Sequence, residues 1–278
     1  MFLIESFLLF SQSIPSQNLG FIDAKASTLD ITIEDRELSI QQSPTILKSN
    51  RADGTTGAVV WKITPLFATW VSSPRNILLR SNILSAGSTV VELGTGVSGI
   101  VALSLGPKIK QYIATDQDYV LKLLKQNISE NSHSNTTRSR GSKGKSLAKS
   151  KAKSQTQSTS NSNIEVIPLD WEADVPLLPV ADGVDAVIAC DCIYNEALID
   201  PFVTTCADIC RLREEGSDTV CIIAQQLRSP DVFEAWLKAF YKLFRVWRVP
   251  DELLTDELRE GTGFVVHVGV LREGRSAE

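Results

Sequence analysis

Glu92-Leu93-Gly94-Thr95-Gly96 sets a carboxylate two residues ahead of the first of two glycines, directly after the apolar run of Val90 and Val91. A buried strand, a glycine loop and a following helix bring backbone close to a nucleotide-like ligand at the carboxyl end of a parallel strand. The spacing Gly94-x-Gly96-x-x-Gly99 also satisfies a dinucleotide fingerprint, and Asp116 stands about twenty residues on, where a ribose-binding acid is expected. The loop alone therefore leaves NAD and S-adenosylmethionine open. Glu92 tips the balance, because a carboxylate there repels a pyrophosphate and attracts the amino group and sulfonium of S-adenosylmethionine. The competing reading makes Glu92 a mere brace of the loop.

Further stations follow in order. Asp116 closes Gln111-Tyr112-Ile113-Ala114-Thr115, where its carboxylate can accept from both ribose hydroxyls. As an alternative it caps the helix opening at Asp118. Asp170-Trp171-Glu172 follows a third apolar run. There Trp171 is suited to stacking on adenine, and Asp170 to accepting from the exocyclic amine. Asp191-Cys192-Ile193-Tyr194-Asn195 ends the apolar Val184-Asp185-Ala186-Val187-Ile188-Ala189-Cys190, and an acid and a phenol at that place invite a catalytic role. The bland alternative makes Asp191 the cap of the next helix.

The elements that must hold these residues alternate. STVVELG, KQYIATD, IEVIPLD, VDAVIACD and DTVCIIAQQ read as strands, separated by helices from about Ser98, over Asp118 to Asn131, and over Ala197 to Arg213. Such alternation implies a parallel sheet with right-handed crossovers and helices on both faces. PDVFEAWLKAFYK reads as one more helix. KLFRVWRV and GFVVHVGVLR are two closing strands, too close in sequence for a crossover helix, so that end of the sheet is expected to be antiparallel. Ahead of the domain, LDITIEDRELSI reads as a β-hairpin. Val59, Val60, Ile63, Leu66, Phe67 and Trp70 fall at three and four spacing, which predicts a leading helix despite Pro65.

With 278 residues and 43% hydrophobic side chains, the chain is long enough for a substantial core. The segment 132–163 holds seven Lys or Arg and no acid; without those seven charges the total of -5 becomes -12. The acidic body argues against phosphate-backbone binding and for a cationic partner. The Ser/Lys-rich tract itself reads as a disordered insertion, with a basic tether for RNA or a nuclear-localisation patch as its functional alternative. Of five cysteines, Cys206 and Cys210 stand at CxxxC spacing without a second pair, and His133 and His267 lie far apart, so no metal site is expected. The opening MFLIESFLLF carries Glu5 and lacks a basic leader and a cleavage site, which favours an element packed on the domain over a signal peptide. No run is long enough for a membrane span, and a cytoplasmic or nuclear protein is expected.

With these residues in hand, the chain resembles the seven-strand protein-lysine methyltransferases of the methyltransferase-like 21 group, most of all their fungal ribosomal branch. The resemblance runs from about Thr55 to Arg272 and is carried by TTGAVVWKI, VVELGTGVSGI, YIATDQ, Asp170-Trp171-Glu172 and ACDCIYN with its Asp-x-x-Tyr element. It implies a Rossmann-like class I methyltransferase sheet over 55–272, interrupted at 132–163, after an N-terminal extension 1–54 with the hairpin and before a tail 273–278. It further implies that Trp61 covers S-adenosylmethionine, that Gly94, Thr95 and Gly96 line its methionine part, and that Asp116 holds the ribose. Trp171 would flank the adenine, Cys190 would touch the cofactor through its backbone, and Asp191 and Tyr194 would shape the acceptor channel. The long insertion departs from the family and maps onto none of its functions.

The implied reaction is methylation of an exposed lysine on a protein, such as one of the large ribosomal subunit. A lysine with a pKa of about 10.4 is neutral only once in a few thousand at pH 7, a cost of about 4 to 5 kcal/mol. The site must lower that cost by desolvation and a neighbouring cation, and by holding nitrogen, methyl and sulfur in line. Three rivals remain: an NAD-dependent oxidoreductase, a non-catalytic scaffold on the same fold, and a methyltransferase of small molecules or RNA, against which only the acidic balance argues.

Overall fold

The computed structural model describes residues 2–16, 19–49, 55–132, 163–213 and 217–272. The expected insertion, apart from its two end residues, and the expected tail 273–278 lie outside them. In chain order the α-helices and strands are α1 (Phe2–Phe10), β1 (Thr28–Ile33), β2 (Arg36–Gln41), α2 (Pro44–Leu47), α3 (Ile63–Ser72), α4 (Ile77–Arg80), β3 (Thr89–Leu93), α5 (Ile100–Leu105), β4 (Gln111–Asp116), α6 (Asp118–Ser132), β5 (Ile164–Pro168), β6 (Ala186–Cys190), α7 (Ile199–Cys210), β7 (Val220–Gln226), α8 (Pro230–Leu243), β8 (Phe244–Arg248) and β9 (Phe264–Leu271).

Seven strands form one sheet in the order β5-β4-β3-β6-β7-β9-β8. Pairings among β5, β4, β3, β6 and β7 are parallel, whereas β9 pairs antiparallel with both β7 and β8. The strand order reverses between β3 and β6, which makes the carboxyl ends of those two strands the switch point where α/β sheets hold ligands. Every residue of β3 and of β6 is buried, as expected of central strands covered on both faces. One face packs α3, α5 and α6 through residues such as Phe67, Ile100 and Leu124. The other packs α1, α7 and α8 through Leu9, Phe202, Trp236 and Phe240. Fully burying each of those large side chains contributes on the order of 1.5–3 kcal/mol.

Three helices start later than the sequence predicts. The leading helix begins at Ile63, and Val59, Val60 and Trp61 lie in non-helical chain ahead of it. Pro65 then falls in the first turn, where its missing N–H is one the helix leaves unpaired anyway. The helix expected from Ala197 to Arg213 opens instead as a 3-10 turn at Glu196–Leu198 and is α-helical only from Ile199 to Cys210. The helix after the glycine loop starts at Ile100 and is a short 6 residues.

The hairpin of β1 and β2 is tied to the sheet by side chains in place of strands. Asn127 of α6 exchanges hydrogen bonds with the backbone of Gln41 at 2.8 and 2.9 Å, and Asn131 one turn later does the same with Ser39 at 2.9 and 3.1 Å. These buried amides satisfy the strand edge as a neighbouring strand would. At the other end of the molecule, α1 lies against α8, and Glu5 Oε1 meets Nε2 of the fully buried His267 at 2.8 Å.

Candidate functional site

A cavity with about 890 Å³ of open space lies at the carboxyl ends of β3, β4 and β6. All eleven residues expected to serve it line it: Trp61, Glu92, Gly94, Thr95, Gly96, Asp116, Asp170, Trp171, Cys190, Asp191 and Tyr194.

The loop after β3 is built from left-handed glycines. Gly94 has φ +66°, and a Cβ there would stand 2.7 Å from Cys192 Sγ and 3.2 Å from Trp171 Cζ2. Gly96 has φ +64°, and its Cβ would stand 3.2 Å from Gly57 O. The glycines are thus demanded by protein neighbours as much as by any ligand. The loop amides are already committed: Thr95 N donates to Thr115 O at 3.0 Å, Val97 N to Gly57 O at 2.8 Å, and Gly96 N to Asp116 Oδ2 at 2.7 Å. A pyrophosphate cradle needs such amides free, so this loop is poorly suited to a dinucleotide.

Beneath the loop lie two carboxyls, Glu92 buried and Asp116 half-buried. Burial pushes Glu92 up to about 7, against hydrogen bonds from Tyr112 and Thr95 and with the help of Asp116. Tyr112 donates its hydroxyl to Glu92 Oε2 at 2.9 Å. Burial likewise pushes Asp116 up to about 6, against the amides of Gly96 and Gln117. Neither carboxyl has a cation beside it to offset desolvation, so both favour a ligand bearing positive charge or hydrogen-bond donors. The alternative in which Asp116 caps α6 is not realised, since its carboxylate accepts from Gly96 and Gln117.

Trp171 lies under Gly94 and meets the Phe202 ring edge-on at 5.1 Å. Asp170 is exposed, and its Oδ1 accepts from the Glu172 amide at 3.1 Å. Cys190 and Cys192 are buried at the cavity wall, and burial pushes both thiols well up. Across the mouth, Trp61 Nε1 donates to Thr56 O at 3.2 Å, and Thr56 Oγ1 bonds the Tyr194 hydroxyl at 3.1 Å. Tyr194 is 41% exposed, so it forms the rim.

Asp191 sits at φ +61°, a left-handed conformation that costs a non-glycine residue on the order of 1 kcal/mol and marks a functional bend. It does not cap the next helical turn, which Asn195 caps through Oδ1 to the Ala197 amide at 3.1 Å. Nor is its carboxylate open: Oδ1 accepts from Arg228 Nη1 at 2.7 Å and the Gln226 amide at 3.1 Å, and Oδ2 accepts from Arg228 Nη2 at 2.6 Å. Asp191 thus lines the cavity with a carboxylate already paired with Arg228 and the Gln226 amide.

Four participants escaped sequence reasoning: Tyr112, the Thr56-Gly57 turn, Tyr119 and Arg228. Tyr112 and Arg228 sit on or just after neighbouring strands, and their positions relative to an acid at the same level of the sheet were the available signal. Gly57 and Tyr119 had none, since the turn before α3 and the start of α6 meet only in space.

Sheet order, antiparallel last strand, glycine loop and acidic strand ends together define a Rossmann-like class I methyltransferase fold. A model of the lysine methyltransferase family matches residues 40–148 and 144–239, and the chain belongs to that family. Among its relatives, ribosomal lysine N-methyltransferase 5 of Zygosaccharomyces rouxii is 35% identical over 68% of this chain, which spans 65% of that protein, just under two thirds. The protein of the same name from Vanderwaltozyma polyspora is 29% identical over 86% of this chain and 87% of its own. A Schizosaccharomyces pombe protein named diaminohydroxyphosphoribosylamino-pyrimidine deaminase is 27% identical over 82% of this chain, which spans only 48% of it. This chain contains no His-x-Glu and no Pro-Cys-x-x-Cys, the elements with which zinc deaminases hold metal and move protons. Among the described residues no group of three His, Cys, Asp or Glu could hold a metal ion, and no helix is long and apolar enough to cross a membrane.

Proposed function

We propose that this chain is an S-adenosylmethionine-dependent protein-lysine N-methyltransferase acting on a ribosomal protein. The observation that carries the reading is the pair of carboxyls, buried Glu92 and half-buried Asp116, under a loop whose Thr95, Gly96 and Val97 amides are committed. That combination suits a ligand with a sulfonium and an amino group and disfavours one with a pyrophosphate. When bound, S-adenosylmethionine supplies a methyl group on a positively charged sulfur.

The chain's residues divide the remaining work. Glu92 offsets the ligand's positive charge, and Asp116 keeps lone pairs for ribose hydroxyls while fixing Gly96. Trp171 offers a ring beside Gly94 for the adenine, and Asp170 retains one oxygen for its exocyclic amine. Trp61 and the Thr56-Gly57 turn close the cavity over the loop, excluding water. Tyr194, held by Thr56, orients the incoming amine at the rim. The acceptor must arrive neutral, and no side chain here is arranged as a strong base. Positioning in a desolvated channel is the main contribution. The acidic body of the protein favours approach of a Lys-rich surface such as a ribosomal protein presents.

The test is incubation of the purified protein with methyl-labelled cofactor and a ribosomal extract, followed by identification of the labelled band. A single labelled ribosomal protein with modified lysine is the expected result. Label on RNA, or on nothing, overturns the reading, as does thermal stabilisation by NAD but not by S-adenosylhomocysteine.

A further inference from the structure

Arg228 belongs to no part of the reading above, yet it makes the closest charged contact in the site. Its guanidinium grips both oxygens of Asp191 at 2.6 and 2.7 Å. It also lies 4.9 Å from the centre of the Trp61 ring and donates to Gln226 Oε1 at 3.0 Å. The Asp191 side chain is 1% exposed and that of Arg228 25%, so the pair is largely withdrawn from water. Planar two-point pairing of this kind fixes direction as well as distance.

The N-terminal segment closes on the same spot. Phe21 and Trp61 form a bridge, with ring centres 4.5 Å apart. Ile22 N donates to Val60 O at 3.2 Å, and Lys62 N to Gly20 O at 2.8 Å. A side chain at Gly20 would collide with Gln226 Oε1 and Arg228 Nη2. The Arg228 guanidinium thereby lies between the strap of residues 20–22, Trp61 and Asp191, while the residue as a whole keeps contact with solvent.

We propose that Arg228 is a positioning residue for methyl transfer, which neutralises Asp191 beside the acceptor channel and holds Trp61 and Asp191 in register across the mouth. The inference rests on the lysine methyltransferase reading and deepens it. The amine must shed one proton to bulk water before its lone pair can form the new N–C bond, in exchange for the methyl–sulfur bond, whose electron pair would stay on the sulfur. A bare carboxylate at Asp191 would hold the acceptor as an ammonium ion and oppose that loss. With Arg228 clamped on both oxygens, Asp191 borders the acceptor channel without presenting a net negative charge. The other ionisable groups lining the cavity are the carboxyls Glu92, Asp116 and Asp170, the phenols Tyr119 and Tyr194, and the thiols Cys190 and Cys192. None of these is cationic, so they cannot take over the neutralising role.

The experiment follows labelling of the ribosomal extract against pH for wild type, Arg228→Gln, Arg228→Lys and the double variant Asp191→Asn/Arg228→Gln. Calorimetry with S-adenosylhomocysteine and the Trp61 indole N–H resonance of the isolated proteins accompany it. For Arg228→Gln the midpoint of the pH–rate curve is expected to move alkaline by on the order of one to two pH units. Arg228→Lys should stay within a few tenths of wild type, and the double variant should return towards wild type because its charge is again balanced. All four should bind S-adenosylhomocysteine within about threefold, whereas the Trp61 resonance should move in Arg228→Gln and the double variant, which both lack the guanidinium. If Arg228→Gln leaves too little folded protein, the double variant, with no unpaired buried charge, decides the matter. An unshifted midpoint in Arg228→Gln, an equal shift in Arg228→Lys, or a double variant displaced alkaline by a unit or more overturns the proposal. Labelling by wild type with any of these sinks the Arg228 role alone, while no labelling by wild type overturns the parent reading and the inference with it.

Discussion

Replacing Glu92 by Gln separates the charge of the buried acid from its shape. Gln keeps an oxygen for the Tyr112 hydroxyl, which now meets Glu92 Oε2 at 2.9 Å, and removes only the ionisation. Burial holds the Glu92 carboxyl at about 7 in place of 4.5. A carboxyl raised on folding takes up protons more tightly in the native state, so it leaves stability intact below 4.5 and erodes it as pH climbs to about 7. The full cost above pH 7 is about 3 kcal/mol. The Gln variant without ligand is therefore expected to exceed wild type by under about 1 kcal/mol at pH 5 and by about 3 kcal/mol at pH 8. For a chain of this size that is roughly 6–12 °C in Tm. Thermal melts of both proteins at several pH values between 5 and 8 provide the assay. S-adenosylmethionine should recover part of the gap, raising the Tm of wild type more than that of the variant at pH 8. A variant less stable than wild type at pH 8, or a difference that does not change with pH, would refute the reasoning about Glu92.

Gly94→Ala adds a Cβ only 2.7 Å from Cys192 Sγ at a left-handed φ, so it should lower stability by about 1–3 kcal/mol and abolish S-adenosylhomocysteine binding in calorimetry. Tyr194→Phe removes the hydroxyl that Thr56 contacts at the rim. Because the side chain is 41% exposed, Tm should hardly move while labelling falls at least tenfold and S-adenosylhomocysteine affinity is kept. At the far end of the sheet, burial tends to raise Glu5, but the hydrogen bond and charge of His267, with Arg248, win and hold it below 4.5. A carboxyl lowered on folding contributes stability that is present above 4.5 and lost as pH falls through its native value. Hydrogen exchange should therefore show α1 loosening on acidification below about pH 4.5, and Glu5→Gln should lessen that dependence.

Periodicity made the alternating strands and helices legible, because the central strands are dominated by short apolar runs and the longer helices carry one apolar stripe. The antiparallel closing pair has a different reason: the chain between them holds only two short 3-10 turns, Asp251–Leu253 and Asp256–Leu258, and no crossover helix. The site was legible wherever chemistry sits at the end of such a strand, as with Glu92, Asp116, Trp171 and Asp191. The leading helix was misjudged at Val59 to Trp61 because its apolar spacing continues through chain that in fact bridges to Phe21. Local pattern cannot see a partner forty residues away.

The sequence by itself determined the sheet, the loop and the acids at its edge, since those follow from residue type and spacing along one strand or helix. Only the tertiary structure decided what each acid does. It buried Glu92 with Tyr112, turned Asp116 onto Gly96, and gave Asp191 to Arg228, 37 residues along the chain. Charge and desolvation depend on neighbours brought together across strands, and that is information no stretch of sequence carries alone.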